Sequence, residues 1–158
     1  MKTAIIISDT HGNRAAVQQL KSLCAENDYL IHLGDGSFDL YPLLAEFPDK
    51  IYRINGNCDF PKTGEDETVL DIEGVKIFAT HGHLYSAKTT LTRLTERAKE
   101  LGCTVVLYGH THRAREDEID GITLINPGTM SRYSEQSYTY MTAANGKAIF
   151  KNVAVKTV

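Results

Sequence analysis

Apolar runs of strand length recur along the chain, and each stops abruptly at polar residues. TAIIIS ends at Asp9, YLIHL at Gly34 and Asp35, IYRI at Asn55, Gly56 and Asn57, VKIFAT at His81, and TVVLY at Gly109 and His110. Between the first two runs Val17, Leu20, Leu23 and Cys24 recur at helical spacing, and Leu91, Leu94, Ala98 and Leu101 do so before the last. Asn13 stands where an N-cap belongs, so the first helix is expected to start beside Asp9 and His11. From about residue 113 onward the pattern is strand-rich: AREDEI, ITLIN, YTYMTA and KAIFKNVAV, with turns at DG and NG. This stretch is expected to form a meander that completes a second sheet. The alternation as a whole predicts an α/β domain. No repeat, low-complexity tract or linker interrupts it, so one domain over residues 1–158 is expected.

The polar ends of these runs carry the candidate chemistry. In open α/β sheets ligands bind outside the carboxyl ends of strands. If those ends lie side by side, Asp9, His11, Asp35, Asn57, His81, His110 and His112 converge on one place. Imidazoles mixed with oxygen donors suit a transition metal better than magnesium or calcium. Seven donors are too many for one tetrahedral ion and suit two ions that share a bridging carboxylate. In extended chain, residues i and i+2 point the same way about 6 to 7 Å apart. On that geometry His110 and His112 could each serve one ion of a pair roughly 3.5 to 4 Å apart. Asp9 and His11 repeat the spacing.

Composition narrows the partners. A net charge of −3 with scattered Lys and Arg offers no basic field for extended nucleic acid, though a small phosphate ester is not excluded. Cys24, Cys58 and Cys103 are an odd number outside any CxxC pairing, which fits a reducing cytoplasm. The N-terminal apolar run is too short for a signal-peptide core, and no segment approaches the roughly 20 apolar residues of a membrane span.

DTH at 9–11, GD at 34–35, GNCD at 56–59, HGH at 81–83 and GHTH at 109–112 together resemble the signature blocks of the calcineurin-like metallophosphoesterases, in the family's order. The small size, GNCD and NPGT at 126–129 resemble its compact bacterial and archaeal phosphodiesterase branch. The resemblance implies an αββα sandwich of two mixed β-sheets flanked by helices. It also implies that Asp9, His11, Asp35 and His112 hold one metal while Asp35, Asn57, His81 and His110 hold the other, with Asp35 as the bridge. The implied cofactors are two divalent transition-metal ions, manganese first, with nickel, zinc or iron as alternatives.

Two divalent ions held by only two carboxylates keep a positive excess that attracts a phosphate ester. The implied reaction is hydrolysis of a phosphodiester, with a bridging hydroxide attacking phosphorus in line and Asp35 and Asn57 as catalytic-site residues. Two other readings stay open: a phosphomonoesterase or small-nucleotide hydrolase using the same centre, and a protein-binding scaffold, since the fold resembles that of a retromer subunit with a degraded metal site. One departure stands out. Larger relatives place a histidine after the Asn of GNCD, thought to protonate the leaving group, and this chain has Cys58 there. A thiol of pKa about 8.5 is a poor acid for that task, so either esters with good leaving groups are preferred or another group donates the proton, His83 being the candidate. Asp59 and Asn126 are expected to orient ligands. Specificity would fall to the short loops around 36–47, 60–67, 83–88 and 127–136, with Phe60, Tyr85, Lys88 and Arg132 among their residues. An open, shallow site tolerant of small diesters is expected, and a homo-oligomer is compatible with the chain.

Overall fold

Ala4, Ile5, Ile6 and Ile7 are fully buried, because β1 (Lys2–Ile7) runs through the middle of a sheet packed on both faces. The computed structural model describes residues 1–156; positions 157 and 158 of the expected domain lie outside the described residues. Strand geometry sends Ala4 and Ile6 to one face and Ile5 and Ile7 to the other, and the two pairs belong to different cores.

On one side β1 pairs in parallel with β2 (Tyr29–His32), which pairs in parallel with β3 (Ile51–Arg53). The second sheet runs in the order β4 (Glu67–Ile72), β5 (Val75–Thr80), β6 (Val105–Leu107), β8 (Ile122–Pro127), β7 (Ala114–Ile119). Its three central strands are parallel and its two edge strands antiparallel. The sheets face each other across Ala4, Ile6, Ile31, Leu33, Ile77, Leu107 and Ile125.

Helices α1 (Arg14–Gln19), α2 (Lys21–Glu26) and α3 (Tyr41–Glu46) cover the outer face of the first sheet through Val17, Cys24 and Leu43. On the outer face of the second sheet, α4 (Thr92–Leu101) packs Leu94 and Ala98 on Phe78, Val106 and Leu124. These are the four layers of the αββα sandwich. Among the described residues no helix is long and apolar enough to cross a membrane.

Three local expectations are corrected. The C-terminal strands divide between the sheets: β7 and β8 complete the second, but β9 (Ser137–Ala144) and β10 (Lys147–Ala154) return to the first. There β9 pairs antiparallel with β1 and sends Met141 and Ala143 into the core between the sheets. The alternation of a strand and its NG turn are local signals, and neither specifies which sheet accepts the hairpin. Second, residues 37–46 are not a loop but a 3-10 turn (Ser37–Leu40) followed by α3, and the edge strand β4 was not expected at all. Third, the first helical stretch splits at Leu20 into α1 and α2. Asn13 does cap α1, its Oδ1 accepting from Ala16 N at 3.3 Å.

Candidate metal centre

Backbone hydrogen bonds tie the loops after neighbouring parallel strands to one another. Asp9 N donates to Gly34 O (2.9 Å), His11 N to Asp35 O (3.0 Å) and Gly109 N to His81 O (2.9 Å). The two sheets meet where His110 N donates to Asp9 Oδ2 at 3.0 Å. That approach requires glycine at 109, since a Cβ there would collide with Ser8 Oγ.

Six of the seven expected donors fall into two groups of potential ligand atoms. Asp9, His11 and His112 form one, and Asp35, His81 and His110 the other; Asp35 also forms a third with His11 and Cys58. His112 Nε2 lies 3.1 Å and His11 Nε2 3.5 Å from Asp9 Oδ1. Asp35 Oδ2 stands 3.3 Å from His81 Nε2 and 3.7 Å from His11 Nε2, so this one oxygen faces both groups.

The hydrogen bonds around these atoms fit a cation. Each carboxylate has one oxygen committed to the backbone: Asp9 Oδ2 to His110 N, with Ser8 Oγ donating to it as well, and Asp35 Oδ1 to Cys58 N at 2.8 Å. The other oxygen of each is turned to the imidazoles. His81 Nδ1 donates to Leu33 O at 2.7 Å, which leaves the lone pair on Nε2 pointing into the cluster. Metal-bound histidines are oriented by such carbonyl bonds. Asp9 Oδ1 and His81 Nε2 are buried and have no hydrogen-bond partner. Buried polar atoms without a partner are rare because desolvating them is costly, and these two, 3.9 Å apart in one cluster, fit an ion between them.

The charges agree. Burial opposes ionisation of Asp9, but the adjacent His11 imidazole and the charge of His81 outweigh it and hold the carboxyl below its usual range. Asp35 is depressed further: burial is overcome by His81 and the Cys58 amide. His11 is raised by the neighbouring Asp9 carboxylate. Burial lowers His81, but Asp35 and Asp9 more than compensate and raise it. His110 is pushed down to about 4, first by burial and then by the charges of His81 and Lys88.

The backbone at these positions differs from the extended geometry expected. Asp9 (φ 55°), His11 (φ 43°), Asp35 (φ 60°), His110 (φ 70°) and His112 (φ 61°) all have positive φ. His110 and His112 therefore do not project as i and i+2 of a strand; left-handed turns direct them, one to each group. Non-glycine residues rarely adopt this region, and such strain concentrates at functional sites.

The remaining expected residues are placed less centrally. Asn57 is exposed, and its Nδ2 donates to Cys58 Sγ at 3.5 Å. The Cys58 thiol is pushed up by burial and by Asp35, which keeps it protonated. His83 stands beside the second group, its ring centroid 5.4 Å from that of His81 and 6.2 Å from that of His110. Burial and the His81 charge lower its pKa. Phe60 is 90% exposed, whereas Tyr85 is drawn away from the surface, its hydroxyl donating to Glu67 and its ring against Phe78.

A supporting shell was only partly foreseen. Asp59 accepts from Asp35 N, Gly36 N, Ser37 N and Gly56 N at 2.7 to 3.1 Å, fixing the loop that carries Asp35. Asn126 Nδ2 donates to Gly109 O and to Thr111 Oγ1, on either side of His110. His32 was missed. It is fully buried, its Nδ1 accepts from Gly34 N (3.0 Å), and its Nε2 lies 3.1 Å from Thr10 Oγ1, which donates to Asp39 Oδ2. Its only sequence signal is a histidine inside an apolar strand.

The model of the calcineurin-like phosphoesterase superfamily domain matches residues 1–146. A probable metallophosphoesterase of Bacillus subtilis, YsnB, is 38% identical over 150 residues, covering 91% of this chain and 86% of that protein. The phosphodiesterase YfcE of Escherichia coli K12 is 30% identical over 156 residues, 83% of this chain and 80% of its own. A solved structure of a predicted phosphoesterase from Streptococcus pneumoniae superposes with a TM-score of 0.80 at 25% identity, covering 98% of each chain.

Proposed function

The chain belongs to the calcineurin-like phosphoesterase superfamily, and from that premise we propose that it is a metal-dependent phosphodiesterase acting on small phosphate esters. The observation that carries this reading is the pair of buried, unpartnered atoms Asp9 Oδ1 and His81 Nε2, aimed into one cluster of imidazoles and carboxylates. Asp9, His11, Asp35 and His112 would hold one ion and Asp35, Asn57, His81 and His110 the other. A pair of divalent cations, when bound, supplies Lewis-acid stabilisation of phosphoryl oxygens and makes water a usable nucleophile near neutral pH.

The chain's own groups prepare the site for that chemistry. The amides of His110 and Cys58 pin one oxygen of each carboxylate and so orient the other. Leu33 O holds His81 in the tautomer with a free Nε2. Asp9, His81 and Asp35 form a buried floor, while His11, His112 and Asn57 are open to solvent, so a phosphate ester can reach the site from that side. His83, next to His81 and His110, is the group we assign to protonating the departing alkoxide. Manganese is the first candidate metal. Cys24, Cys58 and Cys103 are all unpaired, which supports a reducing cytoplasmic setting.

Metal-stripped protein supplied with Mn, Ni, Zn or Mg and given bis-p-nitrophenyl phosphate beside p-nitrophenyl phosphate tests the reading. Metal-dependent turnover that favours the diester is expected. Protein that binds two ions yet turns over neither ester would overturn it.

A further inference from the structure

An open cavity of about 320 Å³ is lined by Ala87, Lys88, Tyr108, Arg113, Arg115 and Thr111, the residue between His110 and His112 in the chain. No carboxylate lines it, and every polar side chain on its wall can donate. Thr111 Oγ1 accepts from Asn126 Nδ2 (2.9 Å) and from Arg113 N (3.2 Å), so its own hydrogen is free to point elsewhere. Arg115 is held by Asp117 through two contacts of 2.6 and 2.7 Å. Lys88 and Arg113 are exposed cations with no such partner among the described residues.

The decisive group is Tyr108. Its residue is wholly buried in the cluster beneath α4, yet its hydroxyl has no hydrogen-bond partner. The Asn126 amide is nearby, but its donors are committed to Gly109 O and Thr111 Oγ1. A buried phenol normally finds a partner. Here the partner is missing in a residue that lines the same cavity as three cationic side chains and a second hydroxyl.

We propose that this cavity is a second anion subsite that takes a phosphate monoester carried by the same substrate as the scissile diester. The favoured substrates are then diesters with a neighbouring terminal phosphate, of the 5′-phosphorylated dinucleotide type. This rests on the phosphodiesterase reading above. It also answers how a chain of net negative charge selects a polyanion: Lys88 and Arg113, with Arg115 paired to Asp117, line one cavity that shares Thr111 with the loop carrying His110 and His112.

The test compares a 5′-phosphorylated diadenosine dinucleotide with its 5′-hydroxyl counterpart in the metal-loaded enzyme. The phosphorylated form is expected to have a kcat/KM higher by about tenfold or more, the equivalent of one charge-assisted hydrogen bond. In Arg113→Ala, a change at an exposed residue, and in Tyr108→Phe, which keeps the ring in its packing, that ratio should fall toward one. Equal kcat/KM in the wild type, or a ratio that survives both substitutions, overturns the subsite while leaving the phosphodiesterase reading intact. Calorimetric titration of both dinucleotides into metal-stripped protein reads the subsite without turnover. A preference for the phosphorylated form that Arg113→Ala abolishes supports the subsite even if neither dinucleotide is hydrolysed, an outcome that would instead count against the diesterase reading.

Discussion

His11 Nε2 and His112 Nε2 stand 3.2 Å apart, although 101 positions separate them in the chain, and Asp9 Oδ1 lies within 3.5 Å of both. Two imidazoles beside a buried carboxylate oxygen form one of the two groups of potential ligand atoms, and Asp35 Oδ2 faces both.

Asp35→Asn should therefore affect both ions together. The amide keeps the shape but loses the charge that faces His11 and His81. Turnover of bis-p-nitrophenyl phosphate is expected to fall at least about a hundredfold, with bound metal per chain, measured by elemental analysis, reduced while the circular dichroism spectrum is kept. Wild-type turnover with full metal content would refute the shared role.

Proton donation by His83 is separable from its place in the fold by varying the leaving group. Against an alkyl leaving group His83→Ala should lose about a hundredfold, and against p-nitrophenolate, which needs no proton, only a few-fold. Equal losses for both would remove His83 from the role. Cys58→Ser, by contrast, should keep most of the activity, because a thiol held protonated beside Asp35 is not a nucleophile.

Asp59 is expected to matter for the loop more than for the chemistry. Its Oδ2 accepts from both Asp35 N and Gly56 N, and an amide nitrogen in that place cannot. Asp59→Asn should cost about 2 to 4 kcal/mol, read from the urea midpoint of metal-free protein. A midpoint within error of wild type would show that the loop holds itself.

His32 gives the fold a pH dependence of definite sign. Burial pushes its pKa down to about 4, against about 6.5 in the unfolded chain. The folded state thus binds fewer protons, and the stability contributed by the neutral ring is complete above about pH 6.5 and lost as pH falls toward 4. About 3 kcal/mol is at stake over that window. Urea titrations of metal-free wild type and His32→Asn across it should show a steeper slope in the wild type; parallel slopes would contradict the assignment.

Much of this site was legible because strand ends are local signals. The apolar runs ending at Asp9, Asp35, His81 and His110 are parallel strands whose ends do meet, and the donor types at those ends are what the proposed chemistry rests on. What escaped the sequence depends on partners distant in the chain. His32 looks like an ordinary strand residue until Thr10 and Gly34 are seen against it. The edge strand ETVLDI lacks an apolar run because only Leu70 and Ile72 of it are buried. The hairpin of β9 and β10 reads as two strands in either sheet, and only the open side of β1 selects the first. The positive φ of His110 and His112 and the close approach of Gly109 to Ser8 belong to the packed loop, and no spacing rule contains them.

The five donor residues with positive φ have a consequence for the life of the protein as well as for its chemistry. Their backbone is held in a region that costs of order 1 to 3 kcal/mol for each such residue, and the buried lone pairs they surround add to the cost. A ligand that binds only the folded chain stabilises it by mass action. If the proposed ions bind here, removing them would leave that cost to the folding free energy of the chain alone. Metal supply would then govern how many copies stay folded and escape proteolysis, so that abundance and activity rise and fall together.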